Sequence, residues 1–174
     1  MPRFGDPEPL ADDHRLAGFE CGVASLDRWL TDYARQANAA GSARTYVVRD
    51  GKQGERVVGF YSLAAGSVDR EEAIARAIKG MPRQALPAVL LARLGVDATM
   101  RDRGLGAWLL RDAMARVLGA STELGVRVML VHAISAEAQA FYERFGFERS
   151  PSDPLNLQIP IKDVAKSMRA VGRE

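Results

Sequence analysis

The chain of 174 residues has one cysteine, two histidines and no apolar run near the roughly 20 residues that a membrane-spanning helix requires. Each shortage excludes a class of protein. A single thiol, Cys21, forms no internal disulfide and suits a reducing compartment. His14 and His132 with that one cysteine give no metal-ligand spacing, so no metal is expected. The opening residues, MPRFGDPEPLADDHRL, are acidic and proline-rich, without the basic leader or apolar core of a secretory signal. A cytoplasmic protein with no membrane partner is therefore expected. The 47% hydrophobic and 26% charged content is that of a globular domain. Residues 1–174 read as one domain, with 162–174 as a C-terminal tail.

A strong excess of either charge is also missing, since the net charge is +2. The distribution says more than the total. Residues 1–32 lean acidic, 33–49 hold Arg35, Arg44 and Arg49 with no acid, and 70–103 hold seven basic residues against four acidic ones. Solvated faces explain most such charges. A local basic field is nevertheless what a polyanion requires.

Periodicity supplies the elements. Ser25 reads as an N-cap, followed by Leu26, Trp29, Leu30, Tyr33 and Ala37 at helical spacing as far as Gly41. Thr45–Val48 and Val57–Leu63 read as a hairpin turning at Asp50-Gly51, and residues 70–79 as a short helix stopped by Gly80-Met81-Pro82. A buried strand from Val89 through Val96 leads through a polar turn, Asp97 to Arg103, into an amphipathic helix reaching about Glu123. A strand over 126–132, a helix from a Ser135 cap to Arg144, a strand near 155–161 and a helical tail follow. The order predicts an α/β fold with a mixed sheet.

The strand, turn and helix of Val89–Arg111 form the centre of this reading. First-turn N–H groups lack intrahelical acceptors and the helix dipole favours an anion there. Gly104 and Gly106 allow close approach, while Arg101 and Arg103 add positive charge, so a pyrophosphate site is expected.

Two motifs carry a resemblance. Arg101-Asp102-Arg103-Gly104-Leu105-Gly106 matches the Q/R-x-x-G-x-G/A pyrophosphate motif of the GNAT superfamily of N-acetyltransferases. About forty residues later, Ala140-Phe141-Tyr142-Glu143-Arg144-Phe145-Gly146-Phe147 resembles that superfamily's A-x-x-F-Y-x-x-x-G-F signature. The resemblance narrows with Phe19-Glu20-Cys21-Gly22 and Leu26-Asp27-Arg28-Trp29-Leu30, which are similar to the F-x-C-G-x-x-x-L-D-x-W-L opening of acetyltransferase toxins from type II toxin–antitoxin modules. Tyr61-Ser62-Leu63-Ala64, Arg93–Asp97 and Ser150-Pro151-Ser152-Asp153-Pro154 fit the same group, so the resemblance covers nearly the whole chain. It implies a single GNAT domain with a mixed, mostly antiparallel sheet. It further implies transfer of acetyl from acetyl-CoA to the α-amine of aminoacyl-tRNA, which blocks translation. A homodimer, a ribbon-helix-helix antitoxin and operator DNA reached through that antitoxin are implied as partners. Ser135 departs from the asparagine that many acetyltransferases carry after this strand.

Carried onto this sequence, the resemblance gives Arg101, Asp102, Arg103, Gly104, Leu105, Gly106 and Ala107 to the CoA phosphates, and Leu94, Gly95 and Val96 to the pantetheine and thioester. Ser135 and Phe141 complete the cofactor set, and Tyr142 is the general acid. A phenol of pKa about 10 stays protonated at neutral pH and can supply a departing thiolate. The α-amine of an aminoacyl ester is less basic than lysine, so no protein base is named. For tRNA, Arg93 leads, followed by Arg76, Lys79, Arg83 and Arg35, with Arg44 and Arg70 as further contacts. Cys21, Trp29 and Trp108 read as packing residues, His132 as a structural histidine and His14 as exposed. An enzyme acting on a small-molecule or protein amine, and a non-catalytic acyl-CoA-binding module, are the alternatives.

Overall fold

The computed structural model describes residues 4–51, 54 and 56–171. In chain order these form β1 (Glu8–Pro9), α1 (Ala24–Arg28), a π-helical segment (Trp29–Tyr33), α2 (Ala34–Ala40), β2 (Arg44–Arg49) and β3 (Val57–Val68). There follow α3 (Ala75–Ile78), β4 (Leu86–Val96), a 3-10 turn (Ala98–Met100), α4 (Leu105–Ala120), β5 (Val128–His132), α5 (Ala136–Arg144), β6 (Glu148–Arg149), β7 (Asn156–Pro160) and α6 (Ile161–Val171). The sheet has seven strands in the order β1-β2-β3-β4-β5-β7-β6. β1–β2, β2–β3, β5–β7 and β6–β7 are antiparallel and β4–β5 is parallel, which is the expected mixed, mostly antiparallel α/β arrangement. The chain divides into two compact units, Met1–Ala64 with Ala92–Asp112, and Ala65–Leu91 with Ala113–Glu174.

The first unit packs Leu10, Leu16, Phe19, Leu30, Ala34, Val47, Val57 and Phe60 into one core. Phe19 meets Phe60 edge-on at 5.4 Å, and Trp29 stacks over Phe60 at 6.2 Å. Gly59 lies under α4, where a Cβ would stand 3.0 Å from Leu105 and 3.1 Å from Leu109. The expected Ser25 cap is not formed. Helix α1 begins two residues earlier, with extended Val23 at its N-cap, and Asp27 reaches back to accept the Cys21 N–H at 2.9 Å. The helix then widens through Trp29–Tyr33, where the Thr31 hydroxyl donates to the Asp27 carbonyl. Gly41 ends α2 at φ 75°, as expected.

His14 is buried rather than exposed, because it closes its own loop. Its Nδ1 accepts from the Ala11 N–H at 2.8 Å and its Nε2 donates to Glu8 at 2.7 Å. The hairpin connection is longer than Asp50-Gly51, since Asp50 N–H bonds the Arg56 carbonyl; residues 52, 53 and 55 of that turn lie outside the described residues.

The second unit has its own core of Val68, Ala73, Ile74, Ala77, Leu86, Ala88, Val128 and Leu130. The helix expected over 70–79 is cut to Ala75–Ile78. Fully buried Gln158 on β7 accepts the Ile74 N–H at 3.0 Å and donates to the Glu72 carbonyl at 2.9 Å. These long-range bonds satisfy groups that a helix would otherwise use, and hold Ile74 extended at ψ 147°. Helix α4 stops at Ala120, three residues short of expectation, and closes in turns through Leu124. The tail forms α6, whose Ser167 lies so near Gly146 that a Cβ there would be 2.6 Å from its hydroxyl.

Candidate functional site

The loop between β4 and α4 has the geometry of an anion cradle. Asp102 and Gly104 adopt left-handed backbone at φ 58° and 83°, and residues 101–104 are exposed. Gly104 faces open space. Among the described residues, the first N–H of this turn with a backbone acceptor is that of Trp108, on the Gly104 carbonyl at 3.0 Å. The N–H groups of Leu105, Gly106 and Ala107 precede it with no acceptor among the described residues, which is the donor set a phosphate needs. These residues therefore fit a pyrophosphate group. Arg103 is exposed and has no partner among the described residues, whereas Arg101 donates to the Cys21 carbonyl at 2.7 Å.

Asp97, which sequence reasoning left out, anchors the loop. Its carboxylate is buried and accepts from the Thr99 N–H and hydroxyl at 3.0 and 2.7 Å, from Glu20 N–H at 3.1 Å and from Arg56 at 3.0 Å. Burial pushes this carboxyl up, but the bonds from Thr99, Glu20 and Arg56 outweigh it and hold the group below the ordinary range. An acid at the strand-to-turn boundary, three residues after Leu94, was the available signal.

The strand before the loop holds Leu94 and Val96 half-buried and Gly95 buried. The β4–β5 ladder ends at Leu91–Val131, so Ala92–Val96 lie beyond it. Gly95 answers to packing, since a Cβ there would sit 2.8 Å from Phe60. Arg93 is half-buried with its guanidinium 4.2 Å from the Trp29 ring centroid, and desolvation lowers its pKa. Cys21 donates weakly to the Val23 carbonyl, and burial followed by the Asp27 hydrogen bond pushes its thiol up to about 11. It is a packed thiol, not a nucleophile.

In the second unit, α5 starts as expected: Ser135 is extended and its hydroxyl accepts from Ala138 N–H at 3.1 Å. Tyr142 is buried in an aromatic cluster, 5.1 Å from half-buried Phe141 and 5.5 Å from Phe147 in edge-on contacts. Its hydroxyl has no partner among the described residues, and burial pushes the phenol well above its ordinary pKa. His132 is exposed at the end of β5 rather than held in the core.

The basic residues fall into two kinds. Arg76 pairs with Glu148 at 2.9 Å and with Asp163, Arg35 donates to the His14 carbonyl at 2.5 Å, Arg44 to Asn38 at 2.6 Å and Arg70 to Pro82 at 3.0 Å. The side chains of Lys79 and Arg83, both exposed residues, have no partners among the described residues. Among those residues no group of acidic, histidine or cysteine side chains could hold a metal, and no helix is long and apolar enough to cross a membrane.

A strand, an N–H-lined loop and a long helix, followed by a second strand–helix pair bearing a buried tyrosine, make up an acetyltransferase scaffold. The acetyltransferase (GNAT) domain model matches residues 41–149, and the chain belongs to this family. It is 43% identical over 165 residues to the tRNA-acetylating toxin of Mycobacterium tuberculosis, spanning 94% of this chain and 96% of that protein. AtaT complexed with acetyl-methionyl-tRNAfMet is a structural match with TM-score 0.84 and 27% identity, covering 92% of this chain and 96% of that one. A tyrosine-to-phenylalanine mutant of the AtaT toxin, bound to the C-terminus of the antitoxin AtaR and acetyl-CoA, matches with TM-score 0.78 and 26% identity, covering 92% and 95%.

Proposed function

We propose that this acetyltransferase is a toxin that moves acetyl from acetyl-CoA to the α-amine of aminoacyl-tRNA and so stops translation. The observation that carries the reading is its likeness, over 94% of its length, to a tRNA-acetylating toxin. The cradle and the tyrosine supply the matching chemistry. Leu105, Gly106 and Ala107 offer N–H groups to the pyrophosphate, with Asp102 and Gly104 shaping the turn and Arg103 adding charge. Leu94, Gly95 and Val96 offer main-chain groups to the pantetheine arm, and one N–H there polarises the thioester carbonyl. That strand segment lies beyond the β4–β5 ladder, which supports the role. Phe141 packs beside the donor, and Ser135 fixes the start of its helix.

In this scheme the neutral α-amine attacks the thioester carbonyl; the C–N bond forms as the C–S bond breaks. Tyr142 gives its proton to the leaving sulfur, and the proton lost by the amine restores the phenol by way of solvent. Arg93, Lys79 and Arg83 contact tRNA phosphates, and Arg76 and Arg35 do so only by giving up their present partners. A ribbon-helix-helix antitoxin, operator DNA through that antitoxin, and a homodimer complete the proposal. Incubation with labelled acetyl-CoA and charged total tRNA tests it. Label is expected on aminoacyl-tRNA; label confined to lysines or free amines overturns the reading.

A further inference from the structure

The segment Phe19–Gly22 is fastened to the loop Asp97–Arg101 through Glu20 and Cys21. Glu20 N–H donates to Asp97 Oδ2 at 3.1 Å, and the Glu20 carbonyl accepts from Ala98 N–H at 2.8 Å. The Cys21 carbonyl accepts from Arg101 Nη2 at 2.7 Å, across 80 residues of sequence. Gly22 lies beneath that guanidinium, so close that a Cβ would stand 2.4 Å from Nη2, and its φ of +91° is itself a glycine conformation. Gly22 is thus required for its backbone and for the room it leaves Arg101.

Arg101 and Arg103 differ sharply for two arginines of one motif. The guanidinium of Arg101 is engaged with a carbonyl at the far side of the loop, while Arg103 is exposed and has no partner among the described residues. Between them Asp102 sits at φ 58°, a left-handed conformation that is strained for a non-glycine residue and needs support from its surroundings.

We propose that Arg101 is a positioning residue rather than a phosphate ligand, and that with Cys21 and Gly22 it sets the backbone of the acetyl-CoA loop. The phosphate charge is then met by Arg103. This rests on reading residues 101–107 as the acetyl-CoA cradle. The N-terminal Phe-Glu-Cys-Gly motif thereby acquires a task, since it indexes a loop that follows it by some 80 residues.

Acetyl-CoA binding to the full chain, measured by calorimetry at low and high salt, tests the division. Arg101→Lys keeps the charge but cannot reproduce the fixed guanidinium geometry. It is expected to weaken acetyl-CoA about tenfold at both salt concentrations, and Gly22→Ala to do the same. The double variant is expected to be no worse than either single one, because both break the same strut. Arg103→Ala is expected to add to these losses and to fade as salt rises. Arg101→Lys binding like wild type, with Arg101→Ala losing affinity only at low salt, would make Arg101 a direct charge contact and overturn the proposal. That result is available even if Gly22→Ala does not fold. Wild-type protein that fails to bind acetyl-CoA would instead sink the cradle reading itself.

Discussion

The loop Asp97–Ala107 and the cluster around Tyr142 are held in place by different forces. Around the loop the fixing contacts are polar: Asp97 gathers Thr99, Glu20 and Arg56, and Arg101 spans to the Cys21 carbonyl. Around Tyr142 they are aromatic faces and edges, from Phe141 and Phe147, and the hydroxyl has no partner among the described residues. The difference follows from the task each would perform. An anion needs N–H groups aimed before it arrives, and hydrogen bonds to main chain aim them. A proton donor needs to remain protonated, and apolar burial ensures that without any partner competing for its proton.

The comparison can be broken from the polar side first. Asp97→Asn keeps the shape but leaves Arg56 facing a neutral amide, and roughly 2–3 kcal/mol of folding stability should be lost in denaturant titrations at pH 7. Because the carboxyl is held below its ordinary range, its stabilisation is complete above the unfolded value of about 4 and is lost as pH falls from there through the lower folded-state value. The gap between Asp97→Asn and wild type should therefore close in acid; a gap that persists unchanged at pH 3 would assign the loss to shape rather than charge. Next in size, Arg103→Ala should weaken acetyl-CoA about tenfold in low-salt calorimetry with the rate at saturating cofactor unchanged. A fall in that rate with unaltered affinity would move Arg103 out of the binding task.

A smaller contrast separates free from engaged basic residues. Lys79→Ala with Arg83→Ala should reduce the salt slope of tRNA binding by about two, whereas Arg76→Ala, whose charge already faces Glu148 and Asp163, should leave it nearly unchanged. An Arg76→Ala slope change as large as that of the pair would show that tRNA displaces those carboxylates.

Much of this organisation was legible in the sequence, for reasons that can be named. The β4–α4 junction announced itself because a buried strand, glycines and a helix start each leave a local mark, and Ser135 capped its helix where a serine before a periodic run should. The failures share one cause, which is contact between residues distant in sequence. Residues 70–79 have helical periodicity, yet Gln158 takes the backbone groups of Glu72 and Ile74 and shortens the helix. His14 looks solvent-exposed in a polar lead-in, yet Glu8 and Ala11 enclose it. Ser25 looks like a cap, yet Asp27 reaches past it to Cys21. Within the proposed site, the glycine loop and Tyr142 stand out in the sequence as types in a pattern, but Asp97 and the Arg101–Cys21 strut depend on a pairing that no local window contains.

The proposed division between a polar loop that binds and an apolar tyrosine that donates is tested most directly by Tyr142→Phe, with acetyl-CoA affinity and single-turnover acetyl transfer measured on the same preparation. The cluster keeps its packing, because only an oxygen without a partner among the described residues is removed. Affinity should match wild type, and the transfer rate should fall by roughly 10²–10⁴-fold. Transfer at the wild-type rate, or a loss that appears in affinity alone, would contradict the assignment.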